Sequence, residues 1–89
     1  MKKEIIIFGN GNHCKIVKQE ISKISFYKIA AIFDFKSNKI SLNKDYRKKK
    51  INFKKSISAI TAVGDNLLRK ELVNIVNKKF KKVYWEKII

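Results

Sequence analysis

The run Glu4-Ile5-Ile6-Ile7-Phe8-Gly9-Asn10-Gly11-Asn12-His13 constrains this chain more than any other segment. Consecutive large apolar residues, mostly β-branched and bounded by glycine, read as a strand over 4–8 that is buried on both faces, as parallel strands are. Gly9 to Asn12 form a turn, and a helix begins near His13 with Asn12 as its N-cap. Ile16, Val17, Ile21 and Ile24 fall on one face of that helix. A strand that enters a G-x-G turn and then a helix has a chemical use. The glycines let backbone N–H groups approach a phosphate with no Cβ in the way, and the helix N-terminus adds unpaired N–H groups and partial positive charge. The competing reading of the same residues is a tight structural turn.

The rest of the chain extends the pattern. Residues 27–33 read as a second strand ending at Asp34, so strand, crossover helix and strand make a parallel βαβ unit. Residues 36–56 are polar and basic and read as a surface loop, with one short edge strand around 51–53. Lysines there discourage edge-to-edge pairing. Residues 57–63 read as a third core strand, and Gly64-Asp65-Asn66 as the turn after it. A second helix follows with Leu68, Leu72, Ile75 and Val76 on one face, Asp65 as its cap, and Lys78 and Lys79 at the end where cations suit the dipole. Residues 82–85 read as a last strand. The expectation is an α/β fold, a small Rossmann-like parallel sheet of about four strands with flanking helices, forming one domain over 1–89.

In such sheets ligands lie at the carboxyl ends of the strands. The candidate binding residues are therefore Gly9, Asn10, Gly11, Asn12 and His13 in the first loop, Asp34 at the second strand end, and Gly64, Asp65 and Asn66 at the third, with Arg69 one turn further on. Asp34 stands about twenty residues past the glycine turn, where the dinucleotide fingerprint places an acid that accepts ribose hydroxyls. His13 reads either as a phosphate or sugar contact or as a solvated residue at the helix start. Asp65 serves as a cap or as a pocket residue, and both roles can hold together. Arg69 reaches an anion or sits in solvent. Cys14 is small enough for the close packing the fingerprint needs at that position. It has no partner set for nucleophilic catalysis, so no catalytic residue is assigned. One His and one Cys cannot complete a zinc site, so no metal is assigned. Tyr84 and Trp85 read as packing residues or as an interface.

Charge bears on the ligand. The 89 residues carry a net charge of +15 from twenty lysines and two arginines. A positive field attracts anions and fits a phosphate-bearing ligand. The scarcity of arginine, the residue that grips phosphates bidentately, makes nucleic acid the weaker expectation, including at Lys48-Lys49-Lys50 and Lys54-Lys55. The single cysteine suits a reducing cytoplasm. The apolar run at 5–8 is far too short to be a signal peptide or to span a membrane.

Three segments carry a family resemblance. Ile5-Ile6-Ile7-Phe8-Gly9-Asn10-Gly11-Asn12-His13-Cys14-Lys15-Ile16-Val17 resembles the opening I-I-I-x-G-x-G-G-H-x-K-V-V of the PglD/NeuD-like bacterial sugar acetyltransferases, which include sialic acid O-acetyltransferases and UDP-4-amino-sugar N-acetyltransferases. Ala30-Ala31-Ile32-Phe33-Asp34 is similar to the family's G-F-L-D-D, and Ala62-Val63-Gly64-Asp65-Asn66-Leu67-Leu68-Arg69 to its A-I-G-D-N-x-x-R. The resemblance implies an N-terminal domain that binds a UDP-sugar acceptor. In the family a separate left-handed β-helix of hexapeptide repeats binds acetyl-CoA, carries the catalytic histidine and trimerises. By that resemblance Gly9, Gly11 and His13 lie against the diphosphate and sugar, Asp34 faces the uridine, and Gly64, Asp65 and Asn66 complete the pocket. Asn12 departs from the second glycine of G-G-H, and Phe35 from the second acid of D-D. No hexapeptide pattern is present, and Glu86-Lys87 stand where the family's I-H-P would begin. The chain alone is therefore not expected to transfer acetyl groups or to hold acetyl-CoA. It reads as a truncated gene product or as a stand-alone domain that acts with a hexapeptide-repeat acetyltransferase subunit. The alternatives are a stand-alone nucleotide-sensing or NAD-type binding module, and a basic nucleic-acid-binding protein.

Overall fold

The computed structural model describes residues 3–24, 26–44, 56–80 and 82–86. Along the chain they form β1 (Lys3–Phe8), α1 (Asn12–Lys23), β2 (Tyr27–Lys36), β3 (Lys39–Leu42), β4 (Ile57–Thr61), α2 (Asn66–Lys79) and β5 (Val83–Trp85). The five strands make one sheet in the order β3-β2-β1-β4-β5. β1 runs parallel to β2 and β4, and β4 parallel to β5, while β3 pairs antiparallel with β2. This is an α/β fold with Rossmann-like strand order, in which the order reverses between β1 and β4.

β1 explains why an unbroken apolar run belongs at the centre. Its side chains alternate between faces, and both faces are covered. Ile5 and Ile7 pack with Cys14, Val17 and Ile21 of α1. Ile6 and Phe8 pack with Leu72 and Val76 of α2 and with Phe80. Phe8 is the hub of the second layer, with ring centroids 5.0 Å from Phe33, 5.9 Å from Phe80 and 6.1 Å from Trp85. β2 shifts register against β1, since Ile5 pairs with Ile29 but Ile6 with Ala31. Ala30 is thus a bulge residue, and both Ala30 and Ala31 join the α2-side core. The bulge lets Tyr27 and Ile29 face the α1 side while Phe33 and Phe35, in the same odd-numbered series, face the other.

Several details differ from the sequence reading. The N-cap of α1 is Gly11, not Asn12. The buried face of α1 is Cys14, Val17 and Ile21, whereas Ile16 is 49% exposed. Ile16 lies about 100° around the helix from Val17, which turns it off the stripe. Ile24 follows the helix as its C-cap. On α2, Leu72 and Val76 are buried, Ile75 is half-buried and Leu68 is exposed. β2 does not stop at Asp34 but runs on to Lys36. Part of the expected 36–56 loop is strand β3, a fifth strand, joined to β2 by the two-residue turn Ser37-Asn38. Both turn residues have positive φ, 53° and 58°, as a primed hairpin turn requires. β4 ends at Thr61 rather than Val63. The edge strand expected at 51–53 and the lysine clusters at 48–50 and 54–55 lie outside the described residues. Among the described residues no helix is long and apolar enough to cross a membrane.

Candidate functional site

The point where the strand order reverses is where a parallel sheet leaves a crevice, because the connections from the two central strands depart to opposite faces. Here β1 leads through Gly9-Asn10-Gly11 into α1, and β4 leads through Ala62-Val63-Gly64-Asp65 into α2. A cleft of about 650 Å³ opens at these carboxyl ends.

Two backbone bonds lock its base. The Gly9 N–H donates to the Phe33 carbonyl at 2.7 Å, and the Ala62 N–H to the Phe8 carbonyl at 2.8 Å. Gly9 has φ +110°, and a Cβ there would stand 3.0 Å from both the Ala62 carbonyl oxygen and Val63 Cγ2. Only glycine fits this conformation and this approach without strain. Gly11 and Gly64 are of another kind. Among the described residues a Cβ at either would meet nothing within 4 Å, so their packing does not demand glycine there. Both line the cleft.

The two helix starts differ as well. Asp65 accepts from the backbone N–H of Leu67 at 2.9 Å and of Leu68 at 3.0 Å. α1 has no side-chain cap and no acidic residue in its first turn. The first N–H groups of a helix have no i−4 partner within it; at α1 the Cys14 N–H turns back to the Gly11 carbonyl at 3.1 Å, and no side chain caps the N–H groups of Asn12 and His13 before it. His13, half-buried at the second position of α1, lines the same opening.

The other wall is the β2–β3 hairpin. Asp34 lies one residue beyond Phe33, the partner of the last β1 residue, so it stands above the end of the central strand. Asn43 Nδ2 donates to its two carboxylate oxygens at 3.3 and 3.4 Å. Phe35, Lys36 and Ser41 complete that wall, and Leu68 the side toward α2.

Of the residues expected from the sequence, Gly9, Asn10, Gly11, His13, Asp34 and Gly64 meet at the cleft. Asn12 is the first residue of α1. Asp65, Asn66 and Arg69 stand outside the cleft lining. Asp65 caps α2, and Arg69 Nε donates to the Val63 carbonyl at 3.3 Å, bracing the loop from behind. Cys14 is buried beneath the first loop. Burial pushes its thiol pKa up, Lys18 opposes that, and Asp34 adds a smaller upward push. A thiol held protonated is a packing group and not a ready nucleophile. The hairpin residues were missed. Their one signal was the alternation Lys39-Ile40-Ser41-Leu42 after Asn38, hidden by the surrounding lysines.

No curated protein and no solved structure shows significant similarity to the chain. A protein-family model does match, over residues 4–76, and it is the PglD N-terminal domain. That match starts in β1, passes through both cleft-forming loops and ends within α2, so it covers the elements that build the site, and the chain belongs to the PglD N-terminal domain family.

Proposed function

We propose that this domain binds the nucleotide-sugar acceptor of a sugar acetyltransferase, with the diphosphate of a UDP-sugar seated between the two glycine loops. The observation that carries the reading is the pairing of empty space at Gly11 and Gly64 with the uncapped start of α1. A phosphate suits that place because backbone N–H groups and the helix dipole both favour an anion. Asp34, on the β2 wall of the cleft, takes the ribose hydroxyls in this reading. His13, at the rim of the helix start, faces the phosphate or the sugar. The surplus of lysine draws the dianion toward the site.

The domain's contribution to the reaction is positioning. Holding the sugar amine or hydroxyl near a thioester converts an encounter into a local event, which is where rate is gained. Acetyl-CoA and the catalytic histidine belong, in this reading, to a hexapeptide-repeat β-helix domain or subunit working beside this one in the cytoplasm. Calorimetric titration tests the reading. UDP should bind saturably, while NAD and acetyl-CoA give no heat. Asp34→Ala should abolish UDP binding and His13→Ala should weaken it about tenfold, the loss of one charge-assisted hydrogen bond. Absence of any UDP binding at millimolar concentration refutes it.

A further inference from the structure

The β2–β3 hairpin ends in an arrangement that the fold itself does not require. Lys36 and Lys39 flank the two-residue turn and are direct cross-strand partners, so their side chains leave the same face of the sheet with Cβ atoms about 4.5–5.5 Å apart. Like charges opposed in this way destabilise a hairpin. The turn adds strain, since Ser37 takes φ 53°, a region that residues other than Gly, Asn and Asp seldom enter. Among the described residues neither lysine makes an ion pair, and Asp34, the acid on the same face, is engaged by Asn43. Lysine on an edge strand discourages pairing with another chain, which accounts for Lys39 on β3. It does not account for Lys36, which lies on β2 inside the sheet and lines the cleft.

The two lysines turn toward the ligand side. Phe35 and Ile40, the alternate residues of the hairpin, pack against the α2-side core. Strand alternation therefore puts Asp34, Lys36, Lys39 and Ser41 on the other face, the one on which α1 packs. β2 runs on past Phe33, the partner of the last β1 residue, to Lys36. The hairpin tip thus rises beyond the end of the central strand, in one cleft with Gly11 and His13. Among the described residues that line this cleft, Lys36 is the one lysine or arginine.

We infer that Lys36 and Lys39 are binding residues for the diphosphate, which they grip from the hairpin wall while the glycine loops hold its other side. An anion between the two lysines removes their repulsion, so the strain of the free hairpin is relieved on binding. A diphosphate can touch both walls at once and a monophosphate only one, so the pair makes the cleft favour nucleoside diphosphates over monophosphates. The inference rests on the nucleotide reading above and adds to it a charged grip from residues outside the glycine loops.

The test is calorimetry with UDP and UMP on the full chain, as wild type, as Lys36→Gln with Lys39→Gln, and as Lys78→Gln with Lys79→Gln. The last pair is a control with the same charge loss at the far end of α2. The hairpin variant should lose UDP affinity about tenfold, the size of two exposed ion pairs, and UMP affinity about threefold or less. The control should lose less than about twofold of either, because distant exposed charges are screened. Urea unfolding should place the midpoint of the hairpin variant above that of wild type, since the opposed charges are gone. A merely structural pair would instead lose stability and both affinities together. Lys36→Arg with Lys39→Arg keeps the charges and should hold UDP affinity within about twofold of wild type. A UDP loss in the hairpin variant no larger than in the control overturns the inference and leaves the nucleotide reading standing. Failure of wild type to bind UDP overturns both.

Discussion

The loops after β1 and β4 do similar topological work and are built on opposite principles. Each carries the chain from a central strand into a helix, and they touch at Gly9, where the Ala62 carbonyl approaches. The loop into α2 is self-sufficient. Asp65 satisfies two backbone N–H groups, Arg69 ties back to Val63, and Lys78 and Lys79 complement the far end of the helix. The loop into α1 lacks the first two of these devices, because Gly11 caps the helix with no side chain, although Lys23 stands at its far end as Lys78 and Lys79 do on α2. Capping is worth about 1 kcal/mol, a meaningful share of the about 5–15 kcal/mol that holds a domain folded. Of the two helices among the described residues, α1 leaves this stabilisation unused. The contrast is between a loop closed on its own helix and a loop that leaves its helix start without a side-chain cap beside the cleft.

The largest test of that contrast is at the contact between the loops. Gly9→Ala should destabilise the domain by about 3 kcal/mol, because a Cβ combines backbone strain with a 3.0 Å approach to a carbonyl that is itself part of the β4 loop. Urea unfolding would read this as a lower midpoint at unchanged slope. A loss below about 1 kcal/mol, within the range of an ordinary surface change, would mean that the loops are not locked to each other.

Converting one loop into the likeness of the other comes next. Gly11→Asp gives α1 the cap that α2 has. The backbone at Gly11, φ −110° and ψ −158°, is already extended as an N-cap should be. Stability should rise by a few tenths of a kcal/mol, about the difference between glycine and aspartate at this position. UDP affinity should fall at least about tenfold, since a carboxylate would then hold the N–H groups and face the phosphates. Stability and affinity moving in opposite directions is the signature of a site left uncapped for a ligand. Unchanged affinity would mean that the phosphates do not sit at α1.

The reverse change is expected to be the converse. Asp65→Ala should cost about 1 kcal/mol of stability and leave UDP affinity within about twofold, because the Asp65 carboxylate is turned to its own helix and lies outside the cleft lining. Parallel urea melts and titrations would check both halves. A large affinity loss in a fully folded Asp65→Ala protein would make the second loop a ligand loop too and erase the distinction.

How far this was legible in the sequence depends on the range of the interaction. β1, the glycine turn and the Asp65 cap are written in neighbouring residues, and the periodicity of α2 placed Leu72 and Val76 correctly. The apolar faces were read too generously at Ile16 and Leu68, because the helix stripe is decided by which side chains the sheet can accept. The bulge at Ala30 left no local mark, yet it decides which face Phe33 and Asp34 take. The β2–β3 hairpin had only Asn38 and a four-residue alternation to announce it, and Ser37 is a poor residue for positive φ. Missing the hairpin meant missing Phe35, Lys36, Ser41 and the Asn43 bond to Asp34 together, since all depend on one strand folding back.

The smallest expected effect bears on the two glycines that the fold does not require. Gly64 is outside the left-handed region, and a Cβ there meets nothing within 4 Å. Gly64→Ala should therefore stabilise the free protein by about 0.4–1 kcal/mol, by restricting the unfolded chain without straining the native one. Its effect on binding separates two origins of the open space. If the space at Gly64 is ligand volume, the added methyl group displaces the nucleotide and UDP affinity falls several-fold in a protein that melts later than wild type. If the space is only exposed surface at the loop tip, affinity is unchanged and the methyl group is silent. Gly9, where alanine must destabilise through packing against the Ala62 carbonyl and Val63, is the internal control for the same substitution at Gly64.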